Sequence, residues 1–259
     1  MARGPQADPN LGLPSTPPIV FPHPRLLPRW FAVMQVLAVC GIPTGVFLTV
    51  VLVLGFNMPI FDGDSLSLEF FATLSLFDTA LIALLIRVFL ILSGEESRDV
   101  FLGKRKVFGE LWRGLALLPV ALIGVNLVVL GLRAVAPWLH TVKESPIEGL
   151  MKTPFDAAIF LVVVVLAGGV REEIQRAFIL HRFGQCLGGI RLGLAIFTIT
   201  FGLLHVDQGV DVAIAVGLLG LLWGVLYIKR RSAVMGMANH AAFNAANVAQ
   251  QVFLRALGT

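Results

Sequence analysis

Two adjacent glutamates, Glu172 and Glu173, follow directly on an apolar run that begins at Phe160, and Arg176 stands one helical turn later. The run has the character of the first half of a membrane-spanning helix. Ionisable side chains at that depth are costly, so they normally face a protein interior or a water-filled cavity and mark a functional site. On a helix, Arg176 shares a face with either glutamate and can neutralise one of them.

Two further polar sets lie inside later apolar stretches. In the first, Phe201 is followed four residues later by His205; in the second, His240 is followed four residues later by Asn244, with Asn247 a further turn on. Residues spaced in this way share one face of a helix, so each stretch presents a single polar stripe. The glutamates, the two histidines and Asn244 are the candidate catalytic residues, and the arginine, the phenylalanine and Asn247 are candidate supporting residues.

A carboxylate and two imidazoles around one cavity suit three kinds of activity. In the first, a glutamate takes a proton from water while histidine and asparagine donate hydrogen bonds to the oxyanion of an amide, with no metal required. In the second, one glutamate and two histidines bind Zn²⁺ and leave an open position for water. The chain lacks the His-Glu-x-x-His spacing of many zinc proteases. In the third, the same residue types form a non-enzymatic proton or ion pathway.

Composition identifies the environment of these residues. Hydrophobic residues make up 57% of the 259-residue chain and charged residues 14%, which is too apolar for a soluble domain of this size. A net charge of +4 does not indicate a nucleic-acid partner, because the basic residues cluster between apolar stretches, as in the cytoplasmic loops of membrane proteins. The two cysteines, Cys40 and Cys186, provide neither a disulfide framework nor a metal-ligand spacing.

We therefore predict an all-α protein, a polytopic membrane bundle of about seven transmembrane helices around a polar intramembrane site. Residues 1–29, rich in proline and polar residues, are expected to be a flexible cytoplasmic tail, and residues 30–255 the membrane domain. Pro43 is the expected kink in the first span. The predicted spans are approximately 30–56, 70–92, 114–139, 155–182 and 192–205, a sixth that follows Gly209 and ends at Tyr227, and 233–254.

Loop charges predict the orientation of these spans. The basic segment at residues 93–113 and the run that ends at Arg231 are expected to be cytoplasmic, which places the N-terminus inside the cell. At about 1.5 Å of rise per residue, Glu172 and His240 lie about 15 and 14 Å from the basic ends of their spans, and His205 about 21 Å from its own. Side chains from three helices are thus expected to converge on one buried site.

The three polar sets resemble the motifs of the CPBP family, the intramembrane CAAX prenyl protease 2 and bacteriocin-processing group, also called Abi. The family motifs are written E-E-x-x-x-R, F-x-x-x-H and H-x-x-x-N, on separate membrane helices. Phe201 to His205 and His240 to Asn244 match the second and third in form, order and spacing, and the resemblance covers about residues 155–250. It implies peptide-bond hydrolysis at the membrane, in which glutamate and His205 activate water while His240 and Asn244 stabilise the oxyanion.

The first motif departs from the family pattern, because one residue fewer separates the glutamate pair from Arg176. Aligned on Arg176, Glu172 takes the position of the second family glutamate and Arg171 that of the first, where arginine cannot act as a general base. The resemblance assigns catalysis mainly to the first glutamate of the pair. We favour Glu172 as the base in this chain and keep Glu173 as the alternative.

The resemblance implies a membrane-associated peptide or protein substrate, prenylated in eukaryotic relatives, and no cofactor. Two alternatives to this endopeptidase remain open. One is a membrane scaffold or binding protein that keeps the fold and the polar cavity without turnover, and the other is a zinc-dependent membrane protease. We expect an integral protein of a bacterial plasma membrane whose partners are the lipid bilayer and its substrate. The sequence leaves the oligomeric state open.

Overall fold

Helices form nearly all of the regular structure in the computed structural model, which describes residues 27–142 and 148–257. The all-α prediction is confirmed. The strands within those residues are one short antiparallel pair, β1 (Phe61–Asp62) and β2 (Ser65–Leu66). The helices are α1 (Arg29–Val39), α2 (Ile42–Val50), α3 (Leu68–Leu92), α4 (Ser97–Phe101), α5 (Val107–Ala116), α6 (Leu118–Val135), α7 (Pro154–Val163), α8 (Glu172–Cys186), α9 (Ile190–Leu203), α10 (Val210–Arg230) and α11 (Val234–Ala256).

Irregular helical turns complete the fold. Wider, π-helical turns extend α2 over Val51–Gly55 and join α7 to α8 over Val164–Arg171. Short 3-10 turns occupy Pro137–Leu139, Glu148–Leu150 and Val206–Gln208. The expected N-terminal tail, residues 1–29, lies outside the described residues except at positions 27–29.

The first predicted span is a broken helix. α1 and the following helix, Ile42–Gly55, are inclined to each other by 49°. The break falls at Gly41, which has a φ of 91°, a conformation that side chains with a Cβ rarely adopt. Pro43, the expected kink, lies instead in the first turn of α2, where its missing N–H costs no helical hydrogen bond. The bend therefore comes from the glycine, two residues before the proline.

The number of membrane spans differs from the predicted seven. Within residues 27–142 and 148–257, four helices are long and apolar enough to cross a membrane, or five with the bent pair. The four are Leu68–Leu92, Val107–Val135, Pro154–Cys186 and Val210–Arg230. The other two predicted spans are helical but fall short: α9 has 14 residues, and α11 has 23 residues but carries the histidine and asparagine stripe, which lowers its hydropathy.

The basic segment expected to be a loop contains α4 and α5. α5 runs on into α6 as one 29-residue helix. Its polarity is inverted relative to a soluble amphipathic helix, since Glu110 is fully buried while Phe108 and Trp112 are 71% and 58% exposed. Exposed apolar residues continue along α6, where Leu127 and Leu130 are each more than 60% exposed. A bilayer is the solvent that suits such an outer surface.

The packing of α11 determines where the polar site forms. α11 lies along α5 on one side and along the turn Val164–Arg171 on the other, while α9 packs against both α8 and α10. Thr153 and Asp156 cap the start of α7 reciprocally, so the helix that leads to the glutamates begins at a defined residue. The polar stripe of α11 is consequently held against the first turn of α8.

Candidate active site

Glu173, in the first turn of α8, lies at the centre of a buried polar cluster, with 2% of its side chain exposed. The fully buried guanidinium of Arg176 donates to Glu173 Oε1. Nδ1 of His240 on α11 lies 3.0 Å from the same oxygen, and because a carboxylate only accepts, Nδ1 carries the hydrogen. Arg176 is thus paired with Glu173, and not with Glu172, whose four-residue separation from Arg176 had favoured it.

Glu172 is paired with a different arginine. Its Oε1 lies 3.3 Å from Nη2 of Arg171, and Arg171 also donates to Asp78, a buried carboxylate on α3. Its Oε2 lies 3.9 Å from Nε2 of His240, which is too long for a hydrogen bond but leaves a gap that one water molecule can bridge. With 19% of its side chain exposed, Glu172 is the more accessible of the two glutamates.

His240 therefore has one glutamate beside each ring nitrogen, and aromatic packing fixes the plane of its ring. The imidazole stacks on the indole of Trp223 from α10, with the ring centroids 3.7 Å apart and the planes inclined by 15°. Trp223 Nε1 donates to Asn239 Oδ1 at 2.8 Å, and Asn239 Nδ2 donates to the carbonyl of Gly114 at 3.0 Å. The imidazole is positioned by α5, α10 and α11 together.

Aromatic rings also surround the Arg176 guanidinium. Its Cζ lies 4.8 Å from the centroid of Phe197, 4.9 Å from that of Phe201 and 5.4 Å from that of Trp223. Nε and Nη2 of Arg176 form no hydrogen bond within the described part of the chain. Cation–π attraction to these rings compensates in part for the missing hydrogen bonds.

Asn244 lies one turn beyond His240 and contacts the wide turn that precedes the glutamates. Its Nδ2 donates to the carbonyl of Val164 at 3.0 Å. A Cβ at Gly168 would lie 2.4 Å from Asn244 Nδ2, so any larger residue at this position would displace the Asn244 side chain. Asn247 does not join the cluster, because its side chain is exposed and donates to the carbonyl of Phe243 at 2.8 Å.

His205 lies in a turn, two residues after the end of α9, and is partly buried. Its Nδ1 is 2.7 Å from the carbonyl oxygen of Phe201, so Nδ1 donates and the neutral ring has Nε2 as its acceptor. The Phe201 ring stands beside both histidines, with its centroid 4.8 Å from that of His205 and 6.3 Å from that of His240. The two histidines are thus neighbours of the same aromatic ring.

The Glu-His-His ligand set of the zinc alternative is not assembled in this geometry. Throughout residues 27–142 and 148–257, no group of three or more His, Cys, Asp or Glu side chains is arranged to hold a metal ion. Glu173 is engaged by Arg176, a cation that would repel a metal ion at the same oxygen. The side chains therefore do not fit a zinc site, and the metal-free hydrolysis expected from the sequence stays a prediction.

Sequence reasoning missed two members of the cluster. Asp78 is an ionisable residue inside the second apolar span, which is itself a recognisable signal of a buried polar site. Trp223 carried no such signal, because a tryptophan in an apolar helix is ordinarily a packing residue. Arg171 was recognised only as a departure from the family motif, and its contacts with Asp78 and Glu172 could not be read from spacing on one helix.

Comparison with known proteins supports the resemblance read from the motifs. Residues 154–246 match the family model described as type II CAAX prenyl endopeptidase Rce1-like. No curated protein and no solved structure shows a significant match to the chain. The matched residues include both glutamates, Arg176 and every residue of the second and third motifs. The match ends just before Asn247. The part of the chain that carries the polar cluster, residues 154–246, is therefore similar to the Rce1-like group of type II CAAX prenyl endopeptidases.

Proposed function

We propose that this chain is an intramembrane endopeptidase in which Glu172 activates the hydrolytic water without a metal ion. The observation that carries the proposal is the position of His240 between two carboxylates, hydrogen-bonded to Glu173 and separated by 3.9 Å from Glu172. The two carboxylates have different environments, since one is engaged by Arg176 and the other is partly exposed. Such a difference assigns them different roles.

In the proposed reaction, a water molecule occupies the gap between Glu172 and His240. Glu172 takes one proton from this water, and the oxygen attacks the carbonyl carbon of the substrate amide. In its protonated form, His240 donates Nδ1–H to Glu173 and Nε2–H to the developing oxyanion, and Asn244 supplies a second donor. The proton on Glu172 then passes to the amide nitrogen as the C–N bond breaks, so two peptides leave and the carboxylate is restored.

Glu173, Arg176 and Trp223 are positioning residues in this scheme. Glu173 orients His240 through Nδ1, while Trp223 restricts rotation of the ring. His205 has its Nδ1 bound to the Phe201 carbonyl, which leaves Nε2 to accept a hydrogen bond from the attacking water. This division favours Glu172 over Glu173 as the base. Glu173 is buried and one of its oxygens is bound by both Arg176 and His240, whereas Arg171 approaches only Oε1 of the partly exposed Glu172, and Oε2 lies beside the gap to His240.

We further propose that the substrate is a membrane-anchored peptide whose scissile bond enters the bilayer region. Two features support this class: the matched family is described as a prenyl endopeptidase, and the cluster lies in the middle of the Pro154–Cys186 span. A farnesylated reporter peptide should be cleaved faster than the same peptide without the lipid. Equal cleavage of both peptides would limit the proposal to peptide hydrolysis without lipid recognition.

The proposed function is tested with purified full-length protein in detergent, by following cleavage of these reporters for the wild type and for Glu172→Gln. We expect the substitution to lower turnover by about 10²- to 10⁴-fold, the usual contribution of a general base. His240→Ala should cause a comparable loss. Glu96→Gln is the matched control, since Glu96 is exposed and lies outside the cluster.

Three outcomes contradict this proposal. Full activity of a folded Glu172→Gln protein would exclude Glu172 as the base. Inactivation by a chelator that Zn²⁺ reverses would exclude the metal-free mechanism. Absence of cleavage by the wild type across both reporters would favour the scaffold alternative.

A further inference from the structure

A cavity lined mainly by basic residues, none of them part of the three motifs, lies where α5 begins and α10 ends. Its volume is about 440 Å³. The residues that line it come from two segments more than a hundred positions apart, 104–113 and Arg230. The lining residues are Lys104, Arg105, Lys106, Phe108, Gly109, Glu110, Arg113 and Arg230.

The charges around this cavity do not cancel. Glu110, its one acidic lining residue, is engaged by two arginines: Arg230 Nη2 lies 2.5 Å and Arg113 Nη1 3.0 Å from Glu110 Oε1. In the described ranges, no carboxylate forms an ion pair with Lys104, Arg105 or Lys106. The cavity therefore has an excess of positive charge that suits an anion.

Hydrogen bonds to backbone carbonyls hold the two segments together. Arg105 Nε lies 3.4 Å from the carbonyl oxygen of Arg230. Ala233 N–H donates to the carbonyl of Phe101 at 2.8 Å, and the Tyr227 hydroxyl lies 3.2 Å from the carbonyl of Val100. The basic side chains thus stand on a backbone fixed against the end of α10.

An aromatic surface adjoins the basic cavity. Phe108 and Trp112 are 71% and 58% exposed, and their rings meet edge to face with centroids 6.1 Å apart. Phe108 also lines the cavity itself. Exposed tryptophan at the end of a span is typical of the headgroup depth of a bilayer, where one part of the residue contacts acyl chains and the other contacts polar groups.

We propose that this cavity binds the phosphate headgroup of an anionic phospholipid, with the acyl chains lying along the exposed apolar face of α5. The basic side chains attract the negatively charged phosphate. The rings of Phe108 and Trp112 would contact the glycerol and the upper part of the acyl chains. A bias of positive charge toward one membrane face accounts for the number of basic residues in the segment. It does not account for their arrangement around a cavity that also includes Arg230.

The test is native mass spectrometry of the detergent-solubilised full chain, titrated with phosphatidylglycerol or with phosphatidylcholine of identical acyl chains. We expect the wild type to retain phosphatidylglycerol several-fold more strongly. The variant Lys104→Gln/Arg105→Gln/Lys106→Gln should lose at least about tenfold in phosphatidylglycerol affinity, because each basic residue contributes to binding of anionic lipid. If that protein does not fold, the single variant Lys106→Gln should show a loss of about fivefold.

The matched control is Arg98→Gln/Arg191→Gln/Lys229→Gln, which removes three exposed basic residues outside the cavity. This control should bind phosphatidylglycerol as the wild type does. An equal loss in the control would overturn the proposal in favour of general surface charge. Equal retention of the two lipids would also overturn it, as would displacement of phosphatidylglycerol by an equal concentration of inorganic phosphate, which would identify the ligand as a free anion.

Discussion

At the scale of single residues, the candidate site consists of two carboxylate–arginine pairs that share one histidine. Glu173 is paired with Arg176, and Glu172 with Arg171, so each glutamate has its own cation. Arg171 occupies the position of a family glutamate, and besides Glu172 it contacts Asp78 on α3. The departure from the motif therefore brings an additional acidic residue into the cluster, from a helix outside the matched segment.

The two glutamates should respond differently to the same substitution. Glu173→Gln leaves the buried Arg176 charge without its carboxylate, and we expect a loss of about 3–5 kcal/mol in the free energy of unfolding. Glu172→Gln acts on a side chain that is 19% exposed, so we expect a smaller loss of stability and a larger loss of turnover. Thermal unfolding in detergent, followed beside peptide cleavage, measures both effects.

The unfolding temperature and the activity of Glu173→Gln together test this prediction. If Glu173→Gln unfolds at the wild-type temperature, the buried pair does not stabilise the fold. If it also keeps full activity, Glu173 does not position His240. Glu96→Gln provides the baseline for neutralising an exposed glutamate.

At the scale of elements, the wide turn Val164–Arg171 sets the rotation of α8 relative to α7. The N–H of Glu172 bonds to the carbonyl of Ala167, five residues back, whereas a regular α-helix would use the carbonyl four residues back. The extra residue turns the first residues of α8 about the helix axis, and π-helical turns of this kind often occur at functional sites. This turn and α11 contact each other closely, with Gly169 against Ala241.

Gly169→Ala should disrupt the contact between these two elements. The added Cβ would lie 2.5 Å from the Cβ of Ala241, so we expect a destabilisation of about 1–3 kcal/mol from overpacking. Turnover should fall as well, because α11 carries both His240 and Asn244. Thermal unfolding and cleavage assays on the purified variant measure the two effects.

Gly45→Ala is the control for this substitution, because a Cβ at Gly45 in α2 would have no neighbour within 4 Å. Alanine there should leave stability unchanged or raise it by up to about 1 kcal/mol, the difference in helix propensity. Equal effects of the two substitutions would contradict the inferred tight contact.

At the scale of the whole molecule, an ionic network after α3 joins distant parts of the chain. The fully buried Arg182 of α8 donates to Glu95 and, at 2.6 Å, to Gln35 Oε1 of α1. His181 Nε2 lies 2.6 Å from the other oxygen of Glu95. Burial alone would raise the pKa of Glu95, but His181 and Arg182 outweigh it through hydrogen bonds and charge, and lower the pKa from 4.5 to about 2.

This network should make the free energy of unfolding decrease at acidic pH. Because the pKa of Glu95 is lowered in the folded protein, its contribution is complete above pH 4.5 and is lost as the pH falls toward 2. We expect the melting temperature to decrease over that range, and Glu95→Gln to have a lower melting temperature near neutral pH and a weaker dependence. Thermal unfolding in detergent at several pH values measures both.

The neighbouring Glu96→Gln is the control for the acid dependence, since Glu96 is exposed and takes no part in the network. It should retain the wild-type pH profile. A Glu95→Gln protein with an unchanged profile would show that other carboxylates account for the acid sensitivity.

The sequence determined the features that depend on local spacing and composition. Hydropathy identified a helical membrane protein, and the separations within each motif placed His240 and Asn244 on one face of α11. The predicted helix positions agree closely with those in the structure, except in the basic segment before residue 114. A loop was expected there, and the structure has α4 and α5. Seven apolar stretches could be found in this way because apolar composition and the helical period are properties of the chain alone.

Only the tertiary structure decided which partners these side chains have. The pairing of Arg176 with Glu173, the contact of Asp78 with Arg171 and the stacking of Trp223 on His240 depend on rotation about helix axes and on packing between helices. The wide turn Val164–Arg171 adds one residue before α8 and so changes the rotation of α8 about its axis. The small and branched apolar residues that precede Arg171 do not indicate such a turn. Residue types that could do the chemistry were thus evident in the sequence, whereas their pairing required the assembled helices.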